Sequence, residues 1–255
     1  MKITFLGTGT SQGVPVIACR CPVCLSPDRR DKRLRTSVMI ENKGKVFVID
    51  TGPDFRQQML AHNVQQLDAV IFTHEHRDHI AGLDDVRAFN FIQQKIMPVY
   101  APADVKRAIH RDFYYAFEEI KYPGVLEIEI VEVENKEFSV EGTSFLPVEV
   151  MHHKLPVFGY RVGGFSYVTD AKTIAPAERE KLKGSDVLVL NALRRSEHFS
   201  HFNLDEAVKM IEILQPKMAY LTHISHLMGT HEEVEKILPP HIRIACDGLT
   251  LNLDE

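Results

Sequence analysis

The chain has 255 residues, 44% of them apolar and 25% charged, an ordinary balance for a globular protein that excludes a disordered or collagen-like chain. With 30 basic and 35 acidic side chains it carries a net charge of −5, so it lacks the overall basic footprint that binding to a phosphate backbone favours. No run of about 18 apolar residues offers a membrane span. Residues 1–10 show no basic stretch followed by a long apolar one, so no signal peptide is expected and the cytoplasm is the default compartment.

In chain order, an alternating strand over 2–6 runs into the glycine-rich loop 7–13. Residues 22–35 are charge-dense without a period and read as a loop. Segments 36–41 and 45–49 read as a hairpin turned by Asn42, Lys43 and Gly44, with Gly at the positive-φ position of a three-residue loop. Helical spacing follows over 54–62, then a nearly continuous apolar run over 67–72 that fits a buried strand. A histidine-rich run over 74–79 leaves that strand, and 80–90 reads as a helix.

Met97–Ala101 is a predicted strand and 103–113 a helix. Strands are expected over 126–133, 137–140 and 143–150, with a further hairpin over 158–162 and 165–168 turned by Gly163 and Gly164. Then come a helix over 176–182, a strand over 187–190 and an amphipathic helix over 204–214, which Asn203 is placed to cap. A strand over 218–221 and a helix over 231–237 precede a closing hairpin, 242–246 and 250–253, around Asp247 and Gly248. No linker or repeat divides the chain. The expected fold class is α+β: one domain over 1–255, a four-layer αββα sandwich with two sheets face to face and helices outside.

The strongest chemical signal is the run 74–79, in which His74, His76, Asp78 and His79 follow directly on an apolar strand. A loop leaving a strand end can aim several side chains into one pocket. Imidazole and carboxylate together suit Zn²⁺, Mn²⁺ or Fe²⁺. This H-x-H-x-D-H run resembles the signature of the metallo-β-lactamase superfamily of two-metal hydrolases, and the likeness extends in order along nearly the whole chain. Asp50 resembles the acidic residue that ends an early strand, His152 the next ligand, Asp170 the bridging carboxylate and His223 the last ligand. His152 competes with His153; Leu146, Val148 and Val150 share one strand face, and period-two alternation places His152 on it. The resemblance implies one metal on His74, His76 and His152, another on Asp78, His79 and His223, Asp170 between them, and a shared hydroxide. It makes Asp50 an orienting residue instead of a ligand.

Cys19, Cys21 and Cys24 place three thiols within six residues. A closed tetrahedral zinc site needs a fourth ligand, and His226, three residues after His223, is the candidate. Cys246 lies in an apolar stretch and reads as a packed thiol. The glycine-rich loop, the three Cys and the segment 33–37 together resemble the phosphoribosyl 1,2-cyclic phosphodiesterase branch. That branch implies a structural zinc on Cys19, Cys21, Cys24 and His226, and a dinuclear Zn or Mn site opening a cyclic phosphate on a ribose. It also implies a proton-donating His at a helix entrance, a role His201 fits better than His198. Asp78 and His201 are therefore the expected catalytic residues.

The expected activity is hydrolysis of a small phosphodiester by a metal-dependent phosphodiesterase. The expected partners are that substrate, with no membrane and no nucleic acid, and a homodimer by analogy with the relatives. Two other readings use the same core: a transfer-RNA 3′-end nuclease, which needs a projecting arm absent from the sequence, and a metal-bound interaction module with an idle site. His62, His110, His231 and His241 lack ligand spacing and are expected on the surface. The charge run 28–35 is expected to be solvated, with Arg33 or Arg35 within reach of an anionic substrate.

Overall fold

In the computed structural model, which describes residues 1–253, the strands are β1 (Lys2–Gly7), β2 (Ser37–Asn42), β3 (Lys45–Ile49), β4 (Ala69–Ile71), β5 (Met97–Ala101), β6 (Ile128–Glu132), β7 (Phe138–Val140), β8 (Thr143–His152), β9 (Leu155–Val162), β10 (Phe165–Val168), β11 (Thr173–Ile174), β12 (Val187–Asn191), β13 (Met218–Thr222), β14 (Ile242–Ile244) and β15 (Thr250–Asn252). The helices are α1 (Pro22–Leu25), α2 (Phe55–Ala61), α3 (Arg77–Ile80), α4 (Arg87–Gln93), α5 (Ala103–Asp112), α6 (Pro176–Leu182), α7 (Leu204–Leu214) and α8 (His231–Glu235). One sheet runs β15-β1-β2-β3-β4-β5-β6, the other β11-β8-β9-β10-β12-β13-β14, with β7 paired to β8.

Side-chain alternation builds the layers. Phe5, Val38, Ile40, Phe47 and Ile49 point between the sheets, where they meet Phe145, Tyr160, Phe165, Tyr167 and Val189. Their neighbours Met39, Val48 and Val70 face the other way, onto Phe55 and Met59 of α2, Phe89 of α4 and Val105 and Ile109 of α5. On the second sheet Val148, Val150, Leu188 and Leu190 pack against Leu182 of α6, Ala207, Ile211 and Leu214 of α7 and Val234 of α8. The result is a four-layer αββα sandwich. Burying each large apolar side chain is worth roughly 1.5–3 kcal/mol. A one-residue slip would turn the whole set to the wrong face, so register is tightly held. Asn203 caps α7 through a reciprocal capping box with Glu206.

Several local expectations are corrected. Asn42 pairs with Lys45, so the first hairpin has a two-residue loop. Lys43 (φ 50°) and Gly44 (φ 75°) both adopt positive φ, the type I′ geometry that matches strand twist. The helix expected over 80–90 is broken, because the Gly82 amide donates to the Thr51 carbonyl at 2.8 Å and a Cβ at Gly82 would collide with the Gly52 carbonyl. The stretch 22–35 contains α1 and a 3₁₀ turn over Arg29–Asp31.

The closing segments do not pair with each other. β14 adds parallel to β13 in the second sheet and β15 antiparallel to β1 in the first. Asp247 holds the crossing, accepting from the Thr8 hydroxyl (2.7 Å) and the Leu34 amide (2.6 Å). Cys246 is half-buried just past β14. No helix of the described residues is long and apolar enough to cross a membrane.

Candidate metal centre

Strands β3, β4, β5 and β6 run parallel, as do β10, β12 and β13, and β8 shares the direction of β10 because both lie antiparallel to β9. The carboxyl ends of β3, β4, β8, β10 and β13 meet at one edge of the sandwich, and each carries side chains into it. Asp50 (φ 66°), Asp170 (φ 57°) and His223 (φ 58°) lie just past strand ends in the left-handed region. This conformation is uncommon outside Gly, though Asp and His tolerate it better than most, and such residues gather at functional sites. A second device is close backbone contact: a Cβ at Gly52 would strike the Asp78 carbonyl, so glycine lets the 74–79 loop sit down on β3's exit.

Asp50 is fully buried and orients two histidines at once. Its carboxylate accepts from the Thr73 amide (2.9 Å), the Thr73 hydroxyl (2.8 Å) and His79 Nδ1 (2.7 Å). Because the Thr73 hydroxyl spends its proton on Asp50, it accepts from His74 Nδ1 at 3.0 Å. Both rings therefore present Nε2 to the site. His74 Nε2 lies 3.1 Å from His76 Nδ1. His79 Nε2 lies 3.2 Å from Asp78 Oδ2 and 3.3 Å from Asp170 Oδ2, and is buried without a hydrogen-bond partner. A lone pair facing two carboxylate oxygens is repulsive unless a cation or proton lies between them.

His152 Nδ1 donates to the Ser200 carbonyl at 2.9 Å, which leaves its Nε2 free. Its ring centre is 5.1 Å from that of His76, which is exposed, and 5.9 Å from that of buried His74. His153 points to solvent. His223 spans Thr10 Oγ1 (3.3 Å from Nε2) and Asp170 Oδ2 (3.3 Å from Nδ1). The expected group Asp78, His79 and His223 is brought together. Asp170 reaches His79, His223 and His201, and His74 approaches both His76 and the His79–Asp170 pair. His201 is buried, with Nε2 3.0 Å from Asp170 Oδ1 and Nδ1 3.0 Å from Ser200 Oγ and 3.2 Å from His198 Nδ1.

The ionisation states suit a cation. Burial works against the charge on Asp170, yet His223 and His79 hold its carboxyl well below the usual range, and His79 does the same for Asp78. Burial lowers His152 and His74, and brings His223 down to about 4. His79 is the exception: burial opposes its charge, but Asp78, Asp50 and Asp170 raise it well above an ordinary histidine. Anionic carboxylates, imidazoles held neutral at His74, His152 and His223, and a buried His79 Nε2 that faces two carboxylates without a hydrogen-bond partner fit a divalent metal.

The thiol cluster closes independently. His226 Nδ1 lies 3.3 Å from Cys19 Sγ, 3.4 Å from Cys21 Sγ and 3.6 Å from Cys24 Sγ. A tetrahedral zinc with its usual bond lengths has S···N edges of about 3.5 Å. The Val16 amide donates to Cys24 Sγ and the Cys24 amide to Cys21 Sγ, each at 3.4 Å. The Cys24 amide bond in particular draws the Cys21 thiol down to about 6, while burial pushes Cys24 up to about 11.

Other expectations shift. Arg33 is buried, donating to Thr8 Oγ1 (2.8 Å) and the Ala245 carbonyl (2.5 Å), and Arg35 is held by Asp54 at 2.9 Å, so neither is free to meet a substrate. His231 is buried beside Arg33, with its amide on Asp31 at 2.7 Å, and Asp31 too is buried; the 28–35 run is only partly solvated. His110 is exposed, and His62 and His241 are half-buried. Sequence reasoning missed Thr73, Ser200 and Thr10, whose roles come from contacts that no motif encodes.

Several known proteins resemble this chain. Residues 45–224 match the model of the Beta-lactamase superfamily domain. A solved diphosphatase from the PhnP family superposes with a TM-score of 0.93, is 41% identical, and is covered over 98% of its length by 99% of this chain. An octanoyltransferase from Porphyromonas gingivalis is 42% identical over the whole chain, which accounts for 52% of that protein. A ribonuclease Z from Prochlorococcus marinus is 27% identical over 167 residues, 64% of this chain and 49% of the relative. The chain thus spans about half the length of the curated relatives it matches.

Proposed function

This chain belongs to the metallo-β-lactamase superfamily, and from that premise we propose that it is a metal-dependent phosphodiesterase acting on a small, cyclic ribose-type phosphodiester. In this reading His74, His76 and His152 would hold one divalent ion, Zn or Mn, and Asp78, His79 and His223 the other, with Asp170 available to both. A third ion, a structural zinc, sits on Cys19, Cys21, Cys24 and His226. When bound, the active-site pair lowers the pKa of water and offsets phosphoryl charge.

The protein's own groups do the rest. Asp50 and Thr73 fix the two Nε2 atoms, and Ser200 fixes His152. His201 holds a proton at Nε2, 3.0 Å from Asp170 Oδ1, and passes it to the departing ribose oxygen. The observation that carries the reading is this buried His201 beside the carboxylate that the other imidazoles share.

A ribonuclease Z-type reading has the curated relatives in its favour. Against it stand the net charge of −5 and the acidic groove beside His74, a cavity of about 220 Å³ whose walls include Glu75, Asp104, Glu132 and Glu149. Such a surface repels a polyanion. The solved relative's diphosphatase activity names a third substrate class for the same centre, and octanoyl transfer is named for a protein twice this length.

One panel separates these: metal-loaded enzyme against a nucleoside 2′,3′-cyclic phosphate, a linear diester, a diphosphate, a thioester and a transfer-RNA precursor, with elemental analysis alongside. Turnover of the cyclic ester above the others supports the proposal. Activity confined to the RNA or the thioester overturns it, and wild type as inert as Asp78→Ala leaves the idle-module reading.

A further inference from the structure

The motif His198–His201 contains an aromatic side chain that the proposed mechanism does not use. Phe199 is 70% exposed, although Phe202 in the same loop is buried at 5%. The loop is pinned, so this exposure is a set position. The Ser200 carbonyl accepts from His152 Nδ1 (2.9 Å), the Phe202 amide donates to the Ala171 carbonyl (2.8 Å) and the Phe202 carbonyl accepts from the Leu193 amide (2.9 Å). Two imidazoles flank the ring. His198 lies over one side at a centroid distance of 4.7 Å and a tilt of 31°, and His153, turned outward at φ 57°, meets it edge-on at 5.4 Å and 86°. From Phe199 the line of rings runs through His198 to His201, the second step being 5.1 Å. The exposed ring thus stands two ring contacts from the proposed proton donor.

We propose that Phe199, walled by His153 and His198, is a stacking platform for a planar heterocycle on the substrate, so that the preferred phosphodiester is a nucleotide and not a bare sugar phosphate. This rests on the phosphodiesterase reading of the neighbouring centre. Every nucleobase has a π-face, and a fixed, exposed ring near a phosphoryl site gains affinity from it without base-specific hydrogen bonds. The platform therefore distinguishes base-bearing from base-free esters while discriminating little among bases.

The test pairs adenosine 2′,3′-cyclic phosphate with the 1-O-methylribose analogue lacking the base, in wild type, Phe199→Ala and Phe199→Trp. Wild type is expected to show a KM about tenfold lower for the adenosine ester, a size typical of base–aromatic stacking. Phe199→Ala erases that preference and Phe199→Trp restores it. Equal KM values in wild type, or a preference that survives Phe199→Ala, overturns the proposal. Calorimetric binding of adenosine 5′-monophosphate against ribose 5-phosphate in the same three proteins keeps the two readings apart. If neither ester is turned over but adenosine monophosphate binds about tenfold more weakly to Phe199→Ala, the platform stands and the phosphodiesterase reading falls. If the monophosphates bind alike in all three proteins, the platform falls by itself.

Discussion

Two clusters of metal-type side chains hang from the ends of one short segment, His223 on one and His226 on the other, and they differ in how far the protein alone satisfies them. Around Cys19, Cys21, Cys24 and His226 the ligand atoms close on one another, and backbone amides already donate to two of the sulfurs. Around His79 the shell stays open: Nε2 is buried without a partner, two carboxylates face it, and His76 stands in solvent. A closed set of soft ligands suits a metal that holds loops together, and an open set of imidazole and carboxylate suits one that exchanges water and substrate. The two sites should therefore fail in different ways.

The largest difference is expected from Asp78→Ala against Cys21→Ser. Removing a carboxylate from the open centre should cut kcat about 10³-fold, equivalent to several kcal/mol of lost charge stabilisation, with the melting temperature retained. Removing a thiol should do the reverse. A structural zinc present at a thousand times its Kd contributes about 4 kcal/mol, so Cys21→Ser loses up to that much in denaturant titrations while molecules still folded keep their kcat. Loss of kcat in folded Cys21→Ser would show that the thiol cluster does more than hold structure.

Within the open centre, His201→Ala sharpens the contrast between a proton donor and a ligand, since His152, Asp170 and His201 also lie close enough to grip one ion. As proton donor, His201 should be worth about 10²-fold on a ribosyl leaving group and almost nothing on a nitrophenolate, which leaves without protonation. Metal content should not change. Equal losses on both esters, with metal lost, would make it a ligand. Asp50→Asn should follow, with about 10–100-fold weaker metal binding, because one carboxylate orients both His74 and His79. A loss in only one of two resolved binding steps would contradict that double role.

How much of this was legible from the chain depended on range. Period-two alternation in Phe47, Val48 and Ile49 places the sheet faces, and the density of the 74–79 run places the loop. Segments 242–246 and 250–253 carry equal strand signals, but which sheet each joins is decided by Asp247 reaching Thr8 and Leu34, far away in sequence. Gly82 broke an apparently continuous helix because Thr51 claims its amide. His231 looked like a surface histidine because its burial comes from Arg33. Thr73 relays Asp50 to His74 with no spacing rule to announce it.

The smallest expected effect concerns protons. The negative neighbours Asp78, Asp50 and Asp170 overcome burial to raise His79 well above its ordinary value of 6.5. With Nδ1 committed to Asp50, the proton gained sits on Nε2. A raised folded pKa stabilises the metal-free protein fully below 6.5, and that contribution is lost as pH rises through the raised value. Asp78 and Asp170 are lowered, so theirs is present above the usual carboxylate range and lost only on strong acidification. The metal-free fold should thus be steady near neutrality, while a cation must displace the Nε2 proton to bind. Affinity for Zn²⁺ or Mn²⁺ should tighten about tenfold per pH unit between pH 6 and the His79 pKa, with about one proton released. Calorimetry in two buffers of different ionisation enthalpy reads both quantities. An affinity flat with pH, and no proton released, would mean that His79 Nε2 is not where the cation binds, and the orphaned nitrogen would need another explanation.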